Sequence, residues 1–442
     1  MLELFTSGLM SVWLDMAGMQ RTQLDTFEAL AWPGTPAFVL PAAPEPMTAI
    51  ALQKYLKELS QKGSPITTQG VWLQSGPVLL SSNQGTIPLP AASLTKIATS
   101  LASLQTWGHS HHFDTLFSAT GPIKNGVLQG DLVVTGSGDP LFVWEEAIAI
   151  GNALNRMGIK RVAGNLLVKG KFYMNYNSSP ILAAQMLKEG LNASTWSKGA
   201  TYRYYLMPKG TPRPQIAIAG TVKVVTNANP QLQGENSELL LRHRSLPLAQ
   251  ILKEMNIYSN NEMAQMFADL VGGATVVRKL AAQAASVPQS EILLSNGSGL
   301  GVENRISPRA VCAMLMAIQN KLQPVGLTIG DLFPVAGYDR NGTMLHRHIP
   351  GATAVKTGTL RDVSALAGVM PTRDRGLVWF AIINRGSDIT GLRAGQDKFL
   401  QALSQQWGIA SESPKLVLPS PVSYSNARRL GDQNRNQIFF GG

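Results

Sequence analysis

The chain of 442 residues contains a single cysteine, Cys312, which excludes a disulfide bond within the chain. Cys312 lies in an apolar run, residues 310–318, and we predict that it is a core residue. None of the six histidines has the H-E-x-x-H spacing of a zinc peptidase, and only Asp114 stands near the three at positions 109–112. We therefore expect no metal ion and no other cofactor.

Charged residues are also scarce, at 15%, whereas hydrophobic residues make up 44% of the chain. This composition is typical of a globular protein, and the length predicts two or three domains. The net charge of +11 favours acidic polymers or anionic membranes as partners, including a peripheral membrane contact. No basic stripe with interleaved aromatic residues is found, so we expect no nucleic-acid partner.

Basic residues are missing from the first 20 positions, where Glu3 and Asp15 interrupt the apolar residues. This segment lacks the basic start of a secretory signal and predicts an amphipathic helix instead. Five prolines between positions 33 and 46 predict a linker, so residues 1–46 are interpreted as an N-terminal extension. The polar tail, residues 411–442, is predicted to be disordered.

Three short motifs follow one another along the chain: Ser93-Leu94-Thr95-Lys96, Ser259-Asn260-Asn261 and Lys356-Thr357-Gly358. Each alone has a simpler explanation, as a helix cap or as an exposed lysine. A second S-x-N sequence, residues 81–83, precedes the candidate nucleophile among turn residues and is set aside. Together, and in this order, the three motifs are the signature of penicillin-binding proteins and class A β-lactamases.

The sequence around the first motif fits a serine nucleophile. After Pro90, apolar residues at helical spacing predict a helix that ends near Gly108. Ser93 lies in its first turn, where free N–H groups favour negative charge, and Lys96 follows on the same side. A lysine beside a serine in a dry cleft can lose its proton and act as a base.

The other two motifs also have suitable surroundings. The second lies between two helical patterns, residues 248–255 and 263–270, where a short loop presents side chains well. The third belongs to an extended run, residues 352–360, and two further apolar runs within 363–384 predict an antiparallel meander. Gly358 would let a ligand backbone approach this strand closely.

The stretch between Ser93 and Ser259 is longer than one helical bundle needs. It contains strand and helix patterns and an Asn125-Gly126 hairpin signal. We predict an α/β domain, residues 118–242, inserted into a discontinuous catalytic domain of residues 47–117 and 243–410. The catalytic domain is predicted to have an antiparallel sheet with helices on both faces.

Further short segments extend the pattern beyond the three motifs: Pro90–Lys96, Gly130–Val133, Gly138–Pro140, His243–Ser245, Pro247–Leu248, Gly297–Leu300, Asn304–Arg305, Ser307–Ala310, Phe333–Gly337 and Lys356–Thr359. With Tyr258–Asn261 they resemble the peptidase S13 family, D-alanyl-D-alanine carboxypeptidases and endopeptidases of the DacB, or penicillin-binding protein 4, type. The resemblance runs from about Met47 to Gly408 and implies a serine penicillin-recognising fold. The family's Trp-x-x-Asp segment is not found, because Trp196 is followed by Ser-Lys-Gly.

The resemblance assigns the catalytic roles to four side chains. Ser93 would attack the D-Ala–D-Ala carbonyl, with Lys96 as its base. Ser259, with Lys356, would pass the proton to the leaving D-alanine nitrogen. Backbone N–H groups of Ser93 and Thr359 would form the oxyanion hole, and water would then release the acyl group.

Five residues are predicted to bind the substrate. Asn261 would hold an amide of the stem peptide. Lys356, Thr357 and Thr359 would bind the terminal carboxylate, and Gly358 would admit the ligand to the strand. These assignments also follow from the resemblance.

The predicted function is a serine-type D-Ala–D-Ala carboxypeptidase, with endopeptidase action left open. Its expected partners are peptidoglycan stem peptides, whose free carboxylates suit a basic protein, and β-lactam antibiotics. This substrate implies a periplasmic location. Two alternatives remain, a serine β-lactamase and a non-catalytic cell-wall binding protein, and the intact Ser93, Lys96 and Lys356 argue against the second.

Overall fold

The computed structural model describes residues 45–225, 237–408, 410, 416–421 and 429–439. The predicted amphipathic helix and nearly all of the proline-rich linker lie outside these residues. Within them, no helix combines the length and the apolar character needed to cross a membrane.

A five-stranded antiparallel sheet forms the centre of the larger domain. Its strands are β1 (Gly70–Ser75), β2 (Val78–Asn83), β15 (Ala354–Leu360), β16 (Val363–Thr372) and β17 (Gly376–Arg385). Their order across the sheet is β15-β16-β17-β1-β2. The last three form the meander that the apolar runs predict. The third motif lies in β15, an edge strand. Residues 334–336 bridge its outer side at the start, near Ala354 and Val355, and the outer side beyond them can pair with an extended peptide.

Helices cover both faces of this sheet, as predicted. One face packs against α1 (Pro46–Gln61) and α10 (Ile389–Trp407). The core on the opposite face is built from α2 (Thr95–Trp107), α6 (Leu248–Tyr258), α7 (Asn261–Val271), α8 (Ala274–Ala285) and α9 (Pro308–Leu322). Successive residues of β16 enter opposite cores, Leu366 the first and Ala365 and Ala367 the second, because side chains alternate along a strand.

A small antiparallel sheet leads the chain into the nucleophile segment. It consists of β3 (Leu89–Pro90), β13 (Ile292–Leu293) and β14 (Arg305–Ile306), with β14 in the middle. Just after β3, the N–H of Ala91 donates to the backbone oxygen of Asn304 at 2.8 Å. These bonds fix the direction in which the chain enters α2.

The second domain contains two sheets around its own apolar core. Their strands are β4 (Asp114–Ala119), β5 (Ile123–Lys124), β6 (Val127–Leu128), β7 (Leu132–Ser137), β8 (Arg161–Val162), β9 (Leu166–Lys171), β10 (Ala217–Ile218), β11 (Val222–Val224), β12 (Glu238–Arg244) and β18 (Asn436–Ile438). The six-stranded mixed sheet has the order β11-β9-β7-β4-β12-β18 and the four-stranded sheet the order β10-β8-β6-β5. The helices of this domain are α3 (Trp144–Arg156), α4 (Pro180–Gly190) and α5 (Lys198–Leu206).

The predicted hairpin joins β5 to β6, and Asn125 and Gly126 have φ angles of 49° and 78°, as a type I′ turn requires. Residues 161–171 form the two strands β8 and β9, which residues 163–165 separate. The sheet of this domain extends past the predicted boundaries of 118 and 242, because β4 begins at Asp114 and β12 ends at Arg244.

The prediction that residues 411–442 are disordered is wrong for residues 429–439. In this segment β18 pairs antiparallel with β12 of the inserted domain. The Arg435 guanidinium forms an ion pair with Glu146, and both side chains are almost completely buried. The polar composition gave the wrong prediction of disorder, because strand pairing and a buried ion pair can order a segment that buries little apolar surface.

Candidate active site

Ser93 lies in a single 3₁₀ turn, Ala92–Leu94, directly before α2. This turn packs against the backbone of Gly299, which has a φ of 85°. A Cβ atom at Gly299 would stand 1.9 Å from the backbone oxygen of Ala92, so only glycine fits here. The neighbouring glycine loop therefore helps to hold the nucleophile turn in place.

Lys96 is completely buried and lies one turn after Ser93. Its Nζ donates to Ser93 Oγ at 3.0 Å, to Asn261 Oδ1 at 2.7 Å and to the backbone oxygen of Ser298 at 2.8 Å. Burial lowers the pKa of Lys96 to about 7, although the Glu262 carboxylate acts in the opposite direction. A substantial fraction of Lys96 is therefore uncharged at neutral pH and can accept a proton from Ser93.

The second motif lies in the tight connection between α6 and α7. Ser259 has a left-handed backbone, with φ 53° and ψ 39°, which turns the chain sharply after α6. Asn260 caps α7, since its side-chain oxygen accepts from the N–H of Met263. This geometry directs Ser259 toward Lys356, whose Nζ donates to Ser259 Oγ at 2.9 Å.

Lys356 is completely buried in β15, which rules out the simpler explanation of an exposed strand lysine. Besides Ser259, its Nζ donates to the backbone oxygen of Thr357 at 2.8 Å. Burial, assisted by the nearby charge of Lys96, holds the pKa of Lys356 well below its usual value. Two buried lysines with lowered pKa values therefore each contact one serine: Lys96 contacts Ser93, and Lys356 contacts Ser259.

The three motifs line one cleft of about 360 Å³. Its lining includes Ser93, Ser259, Asn261, Thr357, Gly358 and Thr359, while Lys96 and Lys356 lie beneath it. A Cβ atom at Gly358 would stand 3.0 Å from the backbone nitrogen of Ser93. The glycine predicted to admit a ligand therefore also lets β15 approach the nucleophile turn.

Two residues that line the cleft, Thr343 and Arg393, lie outside the three sequence motifs. Thr343 accepts a hydrogen bond from Thr357 Oγ1 at 2.8 Å, and Arg393 donates to Thr359 Oγ1 at 2.7 Å. Thr343 lies 14 residues from Thr357 along the chain, and Arg393 lies 34 residues from Thr359. Ser298 belongs to a segment that carries the family resemblance, but nothing in the sequence indicated that its backbone oxygen would contact Lys96.

The described part of the chain contains no group of three or more histidine, cysteine, aspartate or glutamate side chains that could hold a metal ion. The chemistry of the cleft is instead that of two Ser–Lys pairs, Ser93 with Lys96 and Ser259 with Lys356. Such pairs activate a serine hydroxyl for attack on a carbonyl group.

The family model described as the D-Ala-D-Ala carboxypeptidase 3 (S13) family matches residues 49–188 and 213–406, well over half of the chain. The chain belongs to the S13 family. The resemblance drawn from the motifs is therefore confirmed. The predicted activity, D-Ala–D-Ala carboxypeptidase with endopeptidase action open, is confirmed at the level of this family.

Named relatives agree with this assignment. D-alanyl-D-alanine carboxypeptidase DacB of Haemophilus influenzae is 23% identical over 393 residues, covering 67% of this chain and 80% of the relative. A D-alanyl-D-alanine carboxypeptidase of an Actinomadura species is 24% identical over 454 residues, covering 79% and 83% of the two chains. In each of these two comparisons, the similarity covers about two thirds or more of this chain and of the relative.

Solved structures show the same fold. A predatory endopeptidase of Bdellovibrio bacteriovorus superposes with a TM-score of 0.65 at 22% identity, covering 79% of this chain and 97% of that one. Penicillin-binding protein 4 of Haemophilus influenzae superposes with a TM-score of 0.60 at 19% identity, covering 80% and 99%. The predicted α/β fold of serine penicillin-recognising enzymes is confirmed for this S13 enzyme.

Proposed function

We propose that this S13 enzyme is a serine-type D-Ala–D-Ala carboxypeptidase that works through an ester on Ser93. The observation that carries the proposal is the contact of Lys96 Nζ with Ser93 Oγ at 3.0 Å inside a buried pocket. With a pKa of about 7, Lys96 is available as a base at neutral pH. A nucleophile with an adjacent base is the arrangement that acyl transfer requires.

In the first step, Ser93 Oγ attacks the carbonyl carbon between the two D-alanines, and Lys96 takes the hydroxyl proton. The carbonyl oxygen becomes an oxyanion, which the backbone N–H groups of Ser93 and Thr359 would stabilise. The close packing of Gly358 against the Ser93 nitrogen supports this role, because it brings β15 beside the nucleophile.

In the second step, the C–N bond breaks and the leaving D-alanine nitrogen needs a proton. Ser259 supplies it from its hydroxyl group and is replenished by Lys356, whose Nζ lies 2.9 Å from Ser259 Oγ. Water then attacks the ester carbon: its hydroxide forms the new carboxyl group of the shortened peptide, its proton passes through Ser259 to restore Lys356, and Lys96 returns its proton to Ser93 Oγ as the ester bond breaks.

The remaining motif residues bind the substrate in this proposal. The side-chain oxygen of Asn261 accepts from Lys96, so its amide nitrogen is left to donate to a carbonyl oxygen of the stem peptide. The peptide would lie along the free edge of β15, with its carboxylate end beside Thr357 and Thr359. Lys356 supports this end from beneath the strand.

The same groove is proposed to accept β-lactam antibiotics. A Bdellovibrio endopeptidase with the same fold has been solved as a penicillin G acylated form, and penicillin-binding protein 4 of Haemophilus influenzae has been solved with a β-lactam. Because peptidoglycan is the substrate, we propose a periplasmic location for this enzyme. A peripheral membrane contact is a further proposal, which rests on the net charge of +11.

The β-lactamase alternative requires a carboxylate base that activates water against the acyl group. Glu291 is engaged, since it accepts from the Ser307 hydroxyl and forms an ion pair with Arg309. Neither Glu262 nor Glu303 lines the cleft. This favours a carboxypeptidase, in which a penicilloyl group remains attached for a long time.

The experiment that tests the proposal measures two reactions of the purified protein. D-Alanine release is followed with a stem-like peptide ending in D-Ala–D-Ala, and the lifetime of a fluorescent penicillin adduct is followed by a chase with unlabelled drug. We expect D-alanine release and a persistent adduct. Clearance of the label within seconds, with the peptide left intact, would identify a β-lactamase, and neither reaction would identify a non-catalytic binding protein.

A further inference from the structure

The cleft must recognise the terminal carboxylate of its substrate, and most of its basic side chains are unsuited to this task. Lys96 and Lys356 are both completely buried, have lowered pKa values and donate to groups of the protein. Arg347 lines the cleft but is bound to Asp397, at 2.7 Å and with only 5% of the arginine side chain exposed. None of these three offers a permanent, unpaired positive charge.

Arg393 differs from these residues. It lies near the start of α10, is exposed to solvent and lines the cleft that contains Ser93. Its Nη2 donates to Thr359 Oγ1 at 2.7 Å, and Thr359 is itself exposed on the edge strand. Within the described residues, Arg393 takes part in no ion pair, so its charge is not neutralised by a carboxylate of the protein.

A guanidinium group suits a carboxylate better than an ammonium group does. It stays charged at any physiological pH and presents several N–H donors in one plane. Only one of the Arg393 donors is directed to Thr359 Oγ1. Because that hydroxyl oxygen accepts from Arg393, its own hydrogen is free to be donated to a ligand in the cleft.

We propose that Arg393, with the Thr359 hydroxyl, forms the recognition site for the free carboxylate of the residue that leaves. One carboxylate oxygen accepts from Arg393 and the other from Thr359. Arg393 is thus a specificity-determining residue, because it supplies the unpaired charge that selects a leaving residue with a free α-carboxylate. This inference rests on the proposed function, and it assigns to Arg393 the charge that the motifs alone would assign to Lys356.

The test compares substrate pairs that differ only in this carboxylate. One pair is a D-Ala–D-Ala peptide as the free acid and as its C-terminal amide, and the other is benzylpenicillin and its methyl ester. The variant is Arg393→Gln, and Arg361→Gln is the matched control. Arg361 is also exposed and lies just past the end of β15, but it does not line the cleft.

We expect Arg393→Gln to lower kcat/KM for the free acid, and the acylation rate with benzylpenicillin, by about tenfold or more. The amide and the methyl ester should change by less than about twofold, so the preference for free carboxylates collapses. Arg361→Gln should keep the preference of the native enzyme.

Three other outcomes would overturn the inference. If Arg393→Gln retains the native preference while the native enzyme turns over both substrates, the carboxylate is recognised elsewhere and the proposed function stands. If Arg361→Gln loses the preference equally, a general field of positive charge is responsible and not the contact in the cleft. If the native protein reacts with none of the four compounds, the proposed function fails together with the inference.

Discussion

Replacing Lys96 by methionine should change how the stability of the protein depends on pH. The methionine side chain keeps most of the length and volume of lysine but has no proton to gain or lose. Lys96 is completely buried in the folded protein, where burial lowers its pKa to about 7. In the unfolded chain its pKa returns to the ordinary value of 10.5.

This difference in pKa fixes both the sign and the size of the effect. Between pH 7 and pH 10.5 the unfolded chain binds more protons at Lys96 than the folded protein does, so raising the pH favours folding. The full difference between the unfolded pKa of 10.5 and the folded pKa of about 7 corresponds to about 5 kcal/mol of folding free energy, at about 1.4 kcal/mol for each pKa unit. From pH 7 to pH 9 the folded protein should therefore gain about 2 kcal/mol from this one group.

The assay is denaturant unfolding of the native protein and of Lys96→Met at pH 7 and pH 9. Loss of the hydrogen bonds to Asn261 and Ser298 affects both pH values alike, so the change in the difference between the proteins reports the titration of Lys96 together with its effect on the pKa of Lys356. Relative to Lys96→Met, the native protein should gain about 2 kcal/mol at the higher pH. Ser93→Ala retains the lysine and should behave as the native protein does. A difference independent of pH would refute the lowered pKa.

Two further predictions follow from the same contacts. The acylation rate of Ser93 by penicillin should fall as the pH drops below about 7, because protonated Lys96 cannot act as a base. The rate is measured between about pH 5 and pH 9, and a rate that does not change over this range would exclude Lys96 as the base. Arg435→Ala should lower the free energy of unfolding by about 3 kcal/mol, since it leaves the buried Glu146 carboxylate with only the His243 ring, 3.5 Å away, in place of the arginine. Arg156→Ala, which removes an exposed contact to the same C-terminal segment, should cost less than about 1 kcal/mol, and equal losses would contradict the buried ion pair.

Much of the fold was predictable because it depends on local patterns. The apolar runs that form β15, β16 and β17 alternate or run continuously, as buried strands do, and the hairpin at Asn125 and Gly126 has a turn signal. The helix after Ser93 shows apolar residues at helical spacing and ends at Trp107, directly before Gly108. In each case the information lies within a window of a few residues.

Two parts of the fold could not be predicted in this way. The pairing of β18 with β12 depends on a contact between segments almost 200 residues apart, which a polar composition does not reveal. The inserted sheet also extends past its predicted boundaries, because β4 and β12 pair with each other near the junction with the catalytic domain. Both errors come from long-range strand pairing.

The motifs predicted which residues gather in the cleft, but not how buried they are. Lys356 was expected to meet a carboxylate directly, whereas in the structure it lies beneath the strand and holds Ser259. Thr343 and Arg393 reach the cleft from segments without any motif. Such residues become visible only when the tertiary structure brings their side chains beside β15.

The central claim is that Ser93 is the acylated nucleophile, and the most direct measurement of it is mass spectrometry of the penicillin-labelled protein. After digestion, the penicilloyl group should be found on the peptide that contains Ser93 and on no other peptide. Ser93→Ala should fold and take no label, because Ser93 is the residue whose hydroxyl contacts Lys96. A label on Ser259 or on another residue, or undiminished labelling of Ser93→Ala, would contradict the account.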